Sequence, residues 1–174
     1  MSDSAIEFLL PDALATETLG AALARAYTGG IAVDAGGAVI YLHGELGAGK
    51  TTCVRSLLRA LGVAGLIRSP TYTLVEAYPL PGINCVHVDL YRLAGPDAVE
   101  ELGLRDYLGS DCLLLVEWPA RGGSALPLPD LVLTLTYLDA ARRARLEAMT
   151  APGRRWAAKL RHDTSLTSYL SNLT

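Results

Sequence analysis

Apolar and polar positions change period repeatedly along these 174 residues, and each change marks an element. Ile6-Glu7-Phe8-Leu9-Leu10 reads as an edge strand stopped by Pro11. Residues 16–27 form a helix with Leu19, Leu23, Ala26 and Tyr27 on one face. Ala38-Val39-Ile40-Tyr41-Leu42 is a short apolar run of the buried-strand type. Val54, Leu57, Leu58 and Leu61 then recur at helical spacing, and Gly62 is placed to end that helix. A strand follows through Ala77 or Tyr78, with Pro79-Leu80-Pro81-Gly82 as a turn and Ile83 to Leu90 as a second strand. Pro96 to Leu102 is a short helix with proline at its start and Gly103 past its end. Leu113-Leu114-Leu115-Val116 is a buried strand, and Pro127 to Pro129 breaks the chain. Leu131 to Leu138 alternates in part, Arg143 to Met149 is placed to pair with it, and a last helix covers Arg154 to Arg161.

Strands alternating with helices predict an α/β fold: a single three-layer domain with a mostly parallel central sheet flanked by helices and antiparallel strands at the ends. No internal repeat or linker divides the chain. The domain is expected over residues 1–162, with the polar stretch 163–174 as a mobile tail.

Between the Ala38–Leu42 strand and the following helix lies Gly44-Glu45-Leu46-Gly47-Ala48-Gly49-Lys50-Thr51. This is the G-x-x-x-x-G-K-S/T phosphate-binding loop of P-loop NTPases. Its glycines let successive N–H groups turn inward as a nest for phosphate oxygens. Lys50 brings a positive charge to the terminal phosphates, from a side chain expected to lie in a solvent-filled site, and the Thr51 hydroxyl is placed to ligate magnesium. The helix N-terminus behind them favours bound anions. The chain has only two lysines, Lys50 and Lys159, against thirteen arginines, so lysine at this position is not a generic surface cation. The stretch does not spell G-x-G-x-x-G, which disfavours a dinucleotide-binding fold.

Composition narrows the class further. Hydrophobic residues make up 51% of the chain, which excludes a disordered protein, and no apolar run is long enough to span a membrane. Met1-Ser2-Asp3-Ser4 is not a basic signal-peptide start. Cys53, Cys85 and Cys112 sit singly in apolar segments without metal-ligand spacing, as expected of buried free thiols in a reducing cytoplasm. Net charge is −3 but uneven: residues 1–139 carry sixteen acids and eight bases, whereas residues 140–174 carry seven bases and two acids. Arg142, Arg143, Arg145, Arg154, Arg155, Lys159 and Arg161 make a basic face suited to phosphate, RNA or an acidic partner, or simply to solvent.

A phosphate loop needs an acid at the end of a neighbouring strand to hold magnesium or its water. Asp89 follows Cys85-Val86-His87-Val88, and Glu117 follows Leu113-Leu114-Leu115-Val116. The alternative for each is an N-cap or an ion pair, Arg92 and Arg121 being the nearest cations in sequence. Ser69-Pro70-Thr71-Tyr72-Thr73 occupies the interval that senses the terminal phosphate in switch-type hydrolases, with hydroxyls flanking a rigid proline. Taken alone it is also an ordinary turn. His87 reads as a core or ion-paired histidine, and Trp118 as a packing residue that lies close to any bound nucleotide.

Four blocks together resemble the TsaE (YjeE) family: Gly44 to Thr52, Ser69-Pro70-Thr71-Tyr72-Thr73-Leu74-Val75-Glu76, His87-Val88-Asp89-Leu90-Tyr91-Arg92-Leu93, and Val116-Glu117-Trp118-Pro119. Gly103-Leu104-Arg105-Asp106-Tyr107 fits a further one. The loop is common to many families, but the other three blocks in this order are specific, and the likeness runs over roughly residues 5–160. It implies a small cytoplasmic, Mg2+-dependent ATPase that supports TsaB and TsaD in placing threonylcarbamoyl on the adenosine beside the tRNA anticodon, with any tRNA contact indirect. It further implies that Glu45, Leu46, Gly47, Ala48, Gly49, Lys50, Thr51 and Thr52 hold ATP and that Thr51 and Glu117 hold magnesium. Lys50, Thr71, Asp89 and Glu117 are implied in hydrolysis. Ala120 departs from the family pattern, which often has Glu or Gln after Trp-Pro.

Two other classes compete. A small P-loop metabolite kinase needs an acceptor pocket and an arginine-bearing lid, which the arginines near Arg142 could supply. A GTP switch needs a guanine-reading Asn/Thr-Lys-x-Asp motif, and neither lysine lies in one. No internal arginine finger is evident, so a slow basal ATPase accelerated by its partners is expected, with the basic face from Arg142 to Arg161 as their hold.

Overall fold

Among the described residues seven strands form one sheet in the order β1-β7-β6-β2-β5-β4-β3. The computed structural model describes residues 5–28 and 37–171. The strands are β1 (Ala5–Leu10), β2 (Ala38–His43), β3 (Val75–Leu80), β4 (Ile83–Asp89), β5 (Cys112–Glu117), β6 (Leu131–Leu138) and β7 (Ala141–Ala148). The central strands β6, β2, β5 and β4 run parallel, while β3 at one end and β7 with β1 at the other pair antiparallel. This is the sheet expected from the alternating pattern.

The helices are α1 (Ala13–Ala26), α2 (Lys50–Leu61), α3 (Asp97–Glu101) and α4 (Ala151–Arg161). One core packs α1, α2 and α4 on the sheet through Leu19, Leu23, Val54, Leu57, Leu58, Trp156 and Leu160. A second core lies on the other face of β4 and β5, where Val86, Val88, Leu114 and Val116 meet Leu93, Val99, Leu104 and Leu126. The β5 strand is buried along its whole length because both faces are covered. The three cysteines are free and buried.

Several boundaries differ from the pattern-based expectation, each for a local reason. Helix α1 starts three residues early because Asp12 caps it, Oδ1 accepting the Ala15 amide at 2.8 Å. Helix α4 likewise starts at Ala151, because the Thr150 hydroxyl accepts the Gly153 amide at 3.1 Å. Pro79 does not begin the turn: β3 is an edge strand, where a missing N–H is tolerated, and it continues to Leu80 before Pro81-Gly82 reverses the chain.

The stretch expected to be a mobile tail is packed through Ser171. Asp163 caps a 3-10 turn over Thr164–Tyr169, Leu166 is fully buried, and the Ser171 amide donates to the Glu7 carbonyl at 2.9 Å. Leu166 and Leu170 cover β1 and α1, a burial that the polar composition of the segment hides. Residues 1–4 of the expected domain and 172–174 of the expected tail lie outside the described residues.

Candidate nucleotide site

Strand β2 lies at the centre of the sheet, and the phosphate loop leaves its C-terminal end, the rim where open α/β sheets bind ligands. Gly49 is the N-cap of α2 with φ +108, a left-handed conformation that favours glycine. A Cβ there would also lie 3.3 Å from Thr16 Cγ2. The Cys53 amide donates to the Gly49 carbonyl at 2.9 Å, so the loop runs into the helix without a break.

Lys50 is 4% exposed, not in open solvent as expected. Its Nζ donates to the carbonyls of Gly44 at 2.7 Å and Glu45 at 2.9 Å, and lies 4.3 Å from the centroid of the Trp118 ring. Burial pushes its pKa down, with Glu117 and Asp89 opposing that shift. The ammonium therefore has two backbone carbonyl partners within the loop, and Trp118 is its lid as well as a packing residue. Trp118 holds a left-handed backbone, φ +58, and its ring leans on Tyr91 at 5.0 Å.

The Thr51 hydroxyl donates to Glu117, 2.8 Å from Oε1 and 3.0 Å from Oε2. Glu117 and Asp89 are register partners at the ends of β5 and β4, and both are almost fully buried. Asp89 accepts the Tyr91 amide at 2.9 Å through Oδ1 and the Thr71 hydroxyl at 3.4 Å through Oδ2. Burial raises the Asp89 pKa, and those hydrogen bonds only partly offset it. Among the described residues neither acid pairs with an arginine: Arg92 lies over the Tyr72 ring at 4.7 Å instead. Thr71 is itself 2.8 Å from the Ser69 hydroxyl. Its segment is tied to the end of β4 by the Asp89 amide, which donates to the Leu74 carbonyl at 3.0 Å.

These groups line a cleft of about 160 Å³ that includes Leu46, Gly47, Gly49, Lys50, Thr51, Thr52, Thr71, Asp89 and Glu117. All four residues expected in hydrolysis are thus brought together. Two of the loop residues differ from their neighbours. Ala48 is buried in the core, and Glu45 is exposed, its carbonyl accepting from Lys50. A threonine hydroxyl, two carboxylates and a lysine around one cleft are a hard-oxygen and cation set that fits a magnesium–nucleotide.

Three residues enter the site that the sequence pattern left out. Tyr91 flanks Trp118. Tyr137 and Arg142, on the β6–β7 hairpin, rest against the loop: the Tyr137 hydroxyl donates to the Leu46 carbonyl at 3.2 Å, and a Cβ on Gly49 would lie 3.4 Å from Arg142 Nε. Arg142 therefore does not belong to the outward basic face. Its Nε is buried without a hydrogen-bond partner among the described residues, and its guanidinium sits 5.9 Å from the Tyr137 ring centroid. Of the rest of that face, Arg143 lies 3.9 Å from Glu7 and Arg145 3.1 Å from Glu147. The sequence signal for the hairpin contact was slight: an arginine just after a turn in a strand that otherwise alternates.

The central parallel sheet, the glycine loop and the acids at the neighbouring strand ends define a P-loop nucleotide hydrolase. The family profile described as threonylcarbamoyl adenosine biosynthesis protein TsaE matches residues 10–146. The chain belongs to the TsaE family. It is 46% identical over 116 residues to the tRNA threonylcarbamoyladenosine biosynthesis protein TsaE of Haemophilus influenzae, covering 67% of this chain and 73% of that protein. It is 40% identical over 126 residues to the TsaE of Streptomyces coelicolor, covering 70% and 84%. The fold superposes on the crystal structure of Bacillus subtilis YdiB with a TM-score of 0.71 at 24% identity, over 92% of this chain and 97% of that one. Among the described residues no helix is long and apolar enough to cross a membrane.

Proposed function

We propose that this protein is the Mg2+-dependent ATPase of tRNA threonylcarbamoyladenosine synthesis, acting in the cytoplasm beside the TsaB–TsaD transferase. The observation that carries the reading is the Thr51–Glu117 hydrogen bond at 2.8 Å, which joins the phosphate loop to an acid from a separate strand. The names of the relatives support the pathway.

Lys50, whose Nζ lies at the loop beside the Gly44 and Glu45 carbonyls, would give its charge to the terminal phosphates. Thr51 and Glu117 would hold magnesium, which when bound would neutralise phosphate charge. Thr71 and Asp89, already in contact at 3.4 Å, position the attacking water and couple it to the switch segment. A partner completes the site, as the slow members of this class require.

The test is an ATP titration with and without Mg2+, read by Trp118 fluorescence, together with phosphate release. The other tryptophan, Trp156, is buried against Tyr27 and serves as a constant background. Glu117→Gln is expected to weaken Mg2+-dependent binding, and Asp89→Asn to lower hydrolysis more than binding. Equal and small effects of both on binding and rate would defeat the assignment, as would hydrolysis that ignores purified TsaB and TsaD.

A further inference from the structure

His87 is fully buried, two residues before Asp89 on the same face of β4, and the readings above give it no task. Its Nε2 lies 2.9 Å from Glu117 Oε1. A nitrogen facing a carboxylate at that distance carries the proton, so Nε2–H is the donor. The other ring nitrogen, Nδ1, is buried with no hydrogen-bond partner among the described residues. A leucine would fill a similar volume without leaving a polar atom unsatisfied, an omission that costs stability in a dry core. The imidazole is therefore poorly explained as packing and well explained by what Nε2 holds.

We propose that His87 is a positioning residue for Glu117, fixing the carboxylate in its magnesium-binding orientation before nucleotide arrives; this rests on the magnesium role of Glu117 given above. Oε1 receives two short hydrogen bonds, from Thr51 at 2.8 Å and His87 at 2.9 Å. Oε2, 3.0 Å from the same Thr51 hydroxyl, is left for the ion or its water. The two anchors differ in kind. Thr51 sits in the first turn of α2, whereas His87 sits in a strand paired on both sides, by β3 and β5. A glutamate has three side-chain torsions, and a fixed donor removes that freedom before binding. Metal-site carboxylates held by such outer partners typically lose about 10–100-fold in metal affinity or activity when the partner is removed.

The test compares His87→Leu, which keeps volume and removes the donor, with His87→Gln, whose amide N–H stands the same number of bonds from Cβ as Nε2–H. For His87→Leu the Mg2+ concentration giving half-maximal ATP binding is expected to rise about 10–100-fold, with ATP binding in EDTA and the thermal midpoint close to wild type. His87→Gln is expected to recover most of the loss. If His87→Leu fails to fold, His87→Asn, too short to reach Oε1, should show the same Mg2+ shift. In 15N spectra the wild-type ring should be the Nε2–H tautomer.

An unchanged Mg2+ requirement in the variants overturns the proposal. So does a loss of equal size with and without Mg2+, which marks a purely structural histidine, or an Nδ1–H tautomer. A wild-type protein whose ATP binding ignores Mg2+ would instead overturn the underlying assignment of Glu117.

Discussion

Gly20→Ala pits two effects of opposite sign against each other inside α1. By helix propensity alone, alanine in a helix interior is better than glycine by about 1 kcal/mol. Gly20, however, is where α1 lies directly on α2. A Cβ there would stand 2.3 Å from the Cys53 carbonyl oxygen and 3.0 Å from Ser56 Cβ. The first partner is backbone in the second turn of the phosphate-loop helix, so it cannot rotate away. Restoring van der Waals separation requires the helices to part by about 1 Å. Overpacking of that kind costs about 1–3 kcal/mol, with rigid backbone partners at the upper end. The net expectation is a loss of about 2 kcal/mol, or roughly 4–8 °C in Tm for a chain of this size.

The function follows the packing. Thr51 sits at the start of α2, 2.8 Å from Glu117, and a displacement of about 1 Å at such a contact can cost about a hundredfold in rate. Thermal or urea unfolding, with Mg2+–ATP binding on the same samples, measures both. Gly95→Ala is the control, since among the described residues nothing lies within 4 Å of a Cβ there, and it should stay within about 0.5 kcal/mol of wild type. A Gly20→Ala protein as stable as wild type, or more so, would refute the close-approach reasoning and leave propensity as the governing term.

Three further outcomes are expected. Lys50→Met keeps the apolar stem under Trp118 and removes the ammonium; hydrolysis should fall by about 10²–10³ while the unfolding midpoint changes little, as phosphate release and calorimetry will show. Burial acts to raise the Asp163 pKa, but hydrogen bonds from Ser165 and Arg25 outweigh it and hold the carboxyl below its ordinary value. Its contribution is thus present above the ordinary aspartate pKa and lost as pH falls through the depressed one. Asp163→Asn keeps a capping oxygen and removes the charge that Arg25 binds, so it should cost about 0.5 kcal/mol at neutral pH and nothing in strong acid, by urea unfolding at both pH values. Charge reversal at Arg143 and Arg145, which face outward where Arg142 does not, should reduce stimulation by TsaB and TsaD in a phosphate-release assay without altering the basal rate. Stimulation that survives would make that face a solvated surface only.

The sequence by itself determined the elements whose logic is local. Glycines and a lysine at fixed spacing make a phosphate loop because backbone sterics and charge act over a few bonds, and apolar runs ending in Asp89 and Glu117 put acids at strand ends because a carboxylate is costly inside a strand's apolar core and is tolerated at the rim of a polar cleft. Caps were legible in principle, since Asp12 and Thr150 are the residue types that bond the next turn, yet the hydrophobic period alone passed over them. Tertiary structure decided what depends on distant segments meeting. The polar stretch after Asp163 packs because Leu166 finds a gap beside β1 and α1. Arg142 turns inward because a hairpin brings it beside Gly49, while Arg143 and Arg145 stay outside. Lys50 is covered because Trp118, 68 positions along the chain, holds a left-handed backbone that lays its ring over the ammonium. His87 meets Glu117 only because β4 and β5 pair in parallel with Asp89 opposite Glu117. A one-residue slip in that register would turn one of the two acids away from the loop, for side chains alternate faces with a period of two.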